Sequence, residues 1–396
     1  MNGQNRQTSS PLTPIGGVLT PSLYLDVNYA YSANHPRDNT LTGGASVPRH
    51  NEFQINLASV GFDWNYKNVI GRLSLQFGSQ LNVVQNLDGT EKRGRSLTIE
   101  NLRYIREATA GYHFDVSNGL NVEAGIFMSY IGLESYLLAE NWNYSRSLIC
   151  EHTPFYFQGL RVQYFPSAHV KIEPWLMNGW QTYGKWNLAP SAGVALRWSP
   201  TEAVTAIANF YLGTDTKGVA DRVRFHSDQS LVLRYFDKPH GAISKAAFSL
   251  NNHFGFETGG VDSAGNALPR MSHAHLVGAA LAHRVWFHND KLAFAARGEL
   301  FSNPSSYVTQ YPPPGFEIGT GVKALQVWGV TGTFDIMPTD FFAFRLEALY
   351  RRSNRPYFAG PGGTTAPDGF QPTPIDFVPD TKKEQWLFSA AVNFRL

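Results

Sequence analysis

Charged side chains are scarce in this chain. Only 16% of its 396 residues are Asp, Glu, Lys or Arg, where soluble domains carry about 25%. The few charges are balanced, 33 Lys and Arg against 31 Asp and Glu, which leaves a net charge of +2. No basic block or acidic tail stands out, so a nucleic-acid partner has no electrostatic footprint here. A single cysteine, Cys150, excludes an internal disulfide framework and a cysteine-based zinc site. Long apolar runs are missing too. The richest, LVGAALA at 276–282, falls far short of the ~18–20 residues a transmembrane helix requires. The opening residues, MNGQNRQTSSPLTPIGG, lack the charged-then-apolar order of a signal peptide. An exported protein would therefore be present here as its mature form with a start Met. Helical periodicity is almost absent.

What is there is alternation with a period of two. In LYLDVNYAY (23–31), Leu23, Leu25, Val27, Tyr29 and Tyr31 share one face, and Tyr24, Asp26, Asn28 and Ala30 take the other. One face suits lipid or a core and the other suits water. RLSLQF (72–77), KIEPW (171–175), LAFAARGEL (292–300), FAFRLEALYR (342–351) and WLFSAAVNFRL at the end of the chain repeat the pattern.

The breaks between these segments are of two kinds. Seven are short turns built from Pro, Asn, Asp and Gly, often introduced by an aromatic residue, such as WNYKN (64–68) and FDVSNG (114–119). Eight are long, near 33–50, 82–101, 131–154, 182–188, 215–223, 259–271, 303–321 and 354–381, and the two kinds alternate strictly. They separate sixteen strands, the first near 20–32 and the last near 382–396. Strand 2 carries a parity conflict, Phe53, Ile55 and Leu57 against Val60, Phe62 and Trp64, which predicts a bulge near Ala58–Ser59.

Lipid offers the backbone no hydrogen bonds, so a membrane sheet must close on itself. An even number of amphipathic strands with short turns at one end and long loops at the other predicts an all-β fold: a closed antiparallel transmembrane β-barrel of sixteen strands. Short turns then face the periplasm and long loops the outside. Residues 1–19 form a periplasmic segment and 20–396 one barrel domain. Trp64, Phe114, Phe165, Trp198, Phe236 and Phe287 sit beside short turns, where an aromatic girdle belongs. A soluble sandwich also alternates. It rarely sustains such long strands with one almost wholly apolar, aromatic-ended face.

The alternation points twelve charges inward: Arg72, Glu123, Arg161, Lys171, Glu173, Arg197, Arg234, Arg297, Glu299, Arg345, Glu347 and Arg351. A charge on the lipid face costs ~2–4 kcal/mol at the midplane, so their confinement to one phase supports the barrel. Arg297-x-Glu299, Arg345-x-Glu347 and Lys171-x-Glu173 each place opposite charges on one face. Such ladders set a transverse field in a water-filled lumen, or merely brace its wall.

The stretch IFMSYIGLESYLLAENWNYSRSLICEHTPFYFQG (126–159), followed by IEPWLMNGWQTYGK (172–185), resembles the β-barrel porin-2 family of Gram-negative outer-membrane proteins. FGFETGG (254–260) and FRLEALYR (344–351) are similar as well, and the likeness runs from about Thr20 to Leu396. Such families usually end in an aromatic residue, whereas this chain ends Phe394-Arg395-Leu396. The resemblance implies an outer-membrane porin for small polar solutes and ions, in a bilayer with lipopolysaccharide, as a homo-trimer or beside other outer-membrane proteins. In sixteen-stranded porins the third long loop folds into the lumen and narrows it. Here that loop would carry Glu134, Glu140, Trp142, Tyr144, Arg146 and Glu151. Its apolar residues would pack on the wall, and Glu134, Glu140, Arg146 and Glu151 would face the water channel. Counting that loop, the inward charges are nine basic and seven acidic, which predicts weak ion selectivity. An outward loop packed on its neighbours is the alternative.

No nucleophile elbow or phosphate loop is present, so no enzyme is expected. A barrel hydrolase would need a constellation that scattered His residues do not establish. His273 and His275 form a possible metal pair without a third ligand, and the Gly-rich stretch around Asp262 lacks the acidic repeats of a calcium loop. No cofactor is implied. A surface-binding scaffold with a largely blocked lumen is the second functional reading, with the Pro- and Gly-rich loop 354–380 as its arm.

Overall fold

The computed structural model describes residues 18–85, 88, 90, 97, 99–186, 189–216, 219–261, 264–268, 274–304, 307–308, 325–365 and 376–396. His273 and Asp262 lie outside them. The chain runs through β1 (Leu19–Ser32), β2 (Phe53–Tyr66), β3 (Val69–Phe77), β4 (Ile105–Phe114), β5 (Leu120–Met128) and β6 (Tyr156–Ser167). It continues through β7 (Val170–Met177), β8 (Ser191–Thr201), β9 (Val204–Gly213), β10 (Val223–Asp237) and β11 (Ile243–Thr258). Next come β12 (His275–Phe287), β13 (Leu292–Asn303), β14 (Leu325–Thr339) and β15 (Phe342–Ser353). Two short strands, β16 (Phe358–Ala359) and β17 (Thr381–Lys382), precede β18 (Glu384–Arg395).

β1 to β15 pair in order, each antiparallel to the next, and β18 closes the ring between β15 and β1. The result is a barrel of sixteen strands with no free edge, the form a sheet must take in lipid. β16 and β17 pair only with each other. The short turns are tight. Lys67 and Asn68, between β2 and β3, both have positive φ, the backbone of a hairpin turn that follows strand twist.

Burial is inverted relative to a soluble protein. On β13, inward Glu299 is 5% exposed and its outward neighbour Leu300 is 64% exposed. Phe114, Trp198 and Phe236 stand exposed at short-turn ends, and Trp64, Phe165 and Phe287 are half-buried there.

The bulge in β2 falls at Asn56, because Asp26 of β1 pairs with Leu57 while Val27 pairs with Ile55. The expected site was Ala58–Ser59. The shift lets both Asn56 and Leu57 point inward, and Asn56 Nδ2 donates to Asp26 Oδ2 at 2.8 Å and to the Ser46 carbonyl at 2.8 Å. A second difference follows β3. Gly78, with φ of 129°, turns the chain into helix α1 (Ser79–Gln85), where strand was expected to run to 81. Leu81 and Val84 of α1 bury inward, which an extended chain could not achieve for residues three apart.

Inside the barrel lies segment 129–155, between β5 and β6, with a single 3₁₀ turn (Leu138–Glu140) and the short helix α2 (Leu148–Glu151). Apolar clusters surround it. Leu148, Ile149 and Cys150 pack on Leu276, Phe301, Leu325, Val327, Tyr357 and Phe358. Leu138 and Tyr144 pack on Ala30, Leu41, Val47, Leu349, Leu387 and Ala391. The first loop (33–52) and the eighth (354–383) therefore share cores with the inward segment. This is the hydrophobic interior that the lipid-facing wall cannot supply for itself.

Candidate functional site

Segment 129–155 has little regular structure, so its amides and carbonyls need partners. Charged side chains of one wall supply them. On β15, Arg345 donates to the carbonyls of Leu138, Asn141 and Trp142 at 2.7, 2.9 and 3.0 Å. Glu347 accepts from the amides of Tyr144 and Ser145 at 2.7 and 3.0 Å. Arg351 donates to the Arg146 carbonyl at 2.9 Å. On β13, Arg297 donates to the Ser145 carbonyl at 2.6 Å and pairs with Glu134 at 2.7 Å, and Glu299 accepts from the Leu148 amide at 2.7 Å. Arg284 of β12 reaches the Trp142 carbonyl at 2.7 Å. Ladder partners also bond within the wall: Arg345 to Asp335 at 2.8 Å and Arg351 to Glu299 at 2.7 Å.

The long-loop side is latched as well. Glu151 accepts from the Ala45 amide at 2.7 Å and from the Ser46 hydroxyl of the first loop, and pairs with Arg146 at 3.3 Å. His152 Nδ1 bonds the Leu148 carbonyl at 2.8 Å, and its Nε2 bonds the Tyr357 hydroxyl of the eighth loop at 3.1 Å. Burial pushes the His152 imidazole down to about 4, so the ring is neutral at pH 7. Nδ1–H donates and Nε2 accepts.

Opposite this wall lies a chamber of about 170 Å³. Arg72, Arg161, Lys171, Glu173 and Arg197 line it from the wall, and Glu134 and Glu140 from the inward segment. The wall charges are paired among themselves. Arg72 bonds Asp63 and lies 3.1 Å from Glu107, Arg161 lies 2.6 Å from Glu123, and Lys171 lies 2.6 Å from Glu173. Arg395 of β18 pairs with Glu140 at 3.0 Å. Arg197 differs: Nε donates to Ser199 Oγ at 3.2 Å, Nη1 is buried without a partner, and among the described residues no carboxylate pairs with it.

The expected residues thus separate into groups. Arg72, Arg161, Lys171, Glu173, Arg197, Glu134 and Glu140 meet at the chamber, with Glu123 behind Arg161. Arg297, Glu299, Arg345, Glu347 and Arg351 instead bind the inward segment. Arg146 and Glu151 are buried against the first loop rather than facing water, because Glu151 satisfies that loop's amides. Tyr144 is buried and its hydroxyl donates to Asp26 at 3.1 Å, while Trp142 packs edge-on against Trp286. Arg234 stands at the short-turn rim, bonded to Asp237 and Glu202.

Asp63, Arg106, Glu107, Arg284, Asp335 and Arg395 belong to this interior too and were not among the expected inward charges, and Asp26, read from sequence only as part of a water-suited face, joins them. Asp63 and Asp335 carry a readable signal, an inward phase directly opposite Arg72 and Arg345 in neighbouring strands. Arg106 and Glu107 are adjacent, so alternation cannot turn both inward. A register shift between β3 and β4, where Glu107 faces Ser74 and Ile105 faces Leu75, does so.

A family model, described as "Putative beta-barrel porin-2, OmpL-like", matches residues 19–396. The chain belongs to this family of porin-like outer-membrane β-barrels. No match is found among curated proteins. Solved structures share its fold: OprB of Pseudomonas putida, with a TM-score of 0.57 and 11% identity, covers 96% of this chain and 94% of its own. An anion-selective porin from Comamonas acidovorans has a TM-score of 0.55 at 8% identity, covering 96% and 99%. The outer membrane channel DcaP of Acinetobacter baumannii has a TM-score of 0.54 at 12% identity, covering 97% and 100%. The family is porin-like, and these neighbours include a porin and an outer membrane channel.

Proposed function

We propose that this porin-2 barrel is a narrow outer-membrane channel through which small hydrophilic solutes and ions diffuse, with segment 129–155 as its constriction. The observation that carries this reading is the asymmetry of the lumen. One wall grips the segment through its backbone, and the opposite wall keeps a charged chamber beside it. A sixteen-strand barrel has the width for an aqueous channel, and the inward segment with its apolar clusters takes up much of it. Small bore follows, with passage confined to the chamber side. The chamber's cations and carboxylates are mostly paired, which favours polar solutes over apolar ones and leaves a weak preference between ions. The outer face would lie in the lipid bilayer, with lipopolysaccharide around its long-loop rim.

A second reading is a scaffold whose lumen is blocked. The buried apolar clusters inside the barrel, the two around the inward segment among them, favour it. Planar-bilayer recording separates the two. The purified protein should give small, stable conductance steps, and deleting 137–149 should enlarge them severalfold. A folded, heat-modifiable barrel that stays silent both intact and with 137–149 deleted would establish the scaffold instead.

A further inference from the structure

His226 and Asp228 are two apart on β10, so both point into the barrel, and His253 on β11 stands directly opposite Asp228. All three are buried: 1%, 0% and 1% exposed. Their ligand atoms lie within 4.8 Å of one another, and His226 Nε2 is 3.0 Å from His253 Nδ1. Two nitrogens at that spacing can both bind one ion at ~2.1 Å, the distance of a zinc–imidazole bond. Neither the chamber nor the grip on segment 129–155 uses the imidazoles.

The surroundings of the cluster decide what it suits. His253 Nε2 lies 3.0 Å from Asn251 Oδ1. That oxygen only accepts, so Nε2 carries the proton and Nδ1 keeps a lone pair. His226 Nδ1 lies 3.2 Å from the Tyr307 oxygen, and Tyr307 donates its one proton to the Phe225 carbonyl at 2.8 Å. With the Tyr307 proton so placed, His226 Nδ1 carries the proton and Nε2 keeps its lone pair. Two bare lone pairs then face each other beside a carboxylate. Asp228 receives the Gly132 amide at 3.1 Å and Asn209 Nδ2 at 3.0 Å. It makes no ion pair among the described residues. The nearby cation, Arg224, is taken by Asp215 and Glu257. A carboxylate so deep without a cation is costly. Each outer atom of the three ligands is held by a second group, as metal ligands are.

We propose that His226, His253 and Asp228 bind one divalent transition-metal ion, with Zn²⁺ the best match to two imidazoles and a carboxylate. Asn251, Tyr307 and Asn209 orient the ligands. Asn209 also lines the chamber, which gives the ion a route in. The site anchors the inward segment near both of its ends, because the Gly132 amide binds Asp228 and Cys150 Sγ lies 3.4 Å from Asn251 Oδ1. Gly132 needs its φ of +89°, and a Cβ there would press within 3.2 Å of Cys150 Sγ.

The test uses the untagged full chain, folded in detergent and stripped with chelator, titrated with Co²⁺ and then Zn²⁺. One equivalent of Co²⁺ should bind with visible d–d absorption, be displaced by Zn²⁺, and raise the temperature of heat modification. Asp228→Asn and His253→Gln should each weaken binding at least 100-fold. Asn251→Ala, which leaves all three ligands in place, should weaken it ~10–100-fold. His35→Gln with His50→Gln, on the first loop, should leave it unchanged. A folded wild-type barrel that binds no Co²⁺ or Zn²⁺ would overturn the site and make the pair a plain imidazole–imidazole hydrogen bond. Binding that survives Asp228→Asn, His253→Gln and Asn251→Ala but is lost with His35 and His50 would overturn it equally.

Discussion

Two halves of the barrel wall carry the same short pattern and use it differently. On β13 and β15, Arg297-x-Glu299 and Arg345-x-Glu347 bind the backbone of the inward segment. On β7, Lys171-x-Glu173 closes on itself and borders the chamber. Spacing is identical, so spacing does not decide the role. What decides it is whether a polypeptide without regular structure lies opposite. Where one does, its unpaired carbonyls and amides compete for the charged groups, and hydrogen bonds to charged groups contribute about 1.5–3 kcal/mol each. Where the chamber keeps the inward segment away, Lys171 pairs along the wall with Glu173.

Breaking the gripping wall should have the largest effect. Arg345→Met removes the donors to three loop carbonyls and leaves Asp335 with Arg284 alone. Breaking a buried pair costs ~3–5 kcal/mol. We expect a clear drop in the temperature of heat modification together with larger, noisier conductance steps. Unchanged steps would show that Arg345 does not hold the constriction. Glu347→Gln is milder. It keeps one acceptor for Tyr144, Ser145 and Thr333 but loses the charge, and about 1.5–3 kcal/mol bounds the cost. Urea unfolding of the folded barrel would measure it.

The latch at the long-loop side answers to pH. His152 titrates near 4 in place and near 6.5 when released. The released state therefore takes up the proton first. The stabilisation is complete above about pH 6.5 and is lost as pH falls toward 4, on the order of 2–3 kcal/mol over that window. Channel openings should lengthen across it. His152→Gln should flatten the dependence, and a dependence that persists in the variant would place the titrating group elsewhere.

The wall was legible in the sequence because lipid imposes one rule on every strand, apolar outside and polar inside. Sixteen strands and the two kinds of connection followed from that rule. The interior was less legible. Asn56 and Arg106 sit at bulges, and a bulge changes which residues face inward without changing composition. Glu151 reads as a water-facing charge until the first loop's amides at Ala45 and Ser46 are brought to it across more than a hundred residues. The His226, Asp228 and His253 cluster was missed for a similar reason. HSD and NNH are unremarkable apart, and only the register of β10 against β11 joins them.

The smallest expected effect sharpens the comparison from the chamber side. Arg197 borders the chamber with no carboxylate of its own among the described residues, and its Nη1 has no partner. Lys171 beside it in the neighbouring strand is neutralised by Glu173. An unneutralised charge acts on passing ions, and a paired one acts mainly on its partner. Arg197→Ala should thus leave folding unchanged within ~0.5 kcal/mol, since only the bond to Ser199 is lost. It should still shift the reversal potential in a salt gradient toward cations. Arg234→Ala, which removes a cation already paired at the rim, should shift it less. Equal shifts from the two would mean that the chamber wall holds no special position along the path of ions, and that the difference between the two walls is one of stability alone.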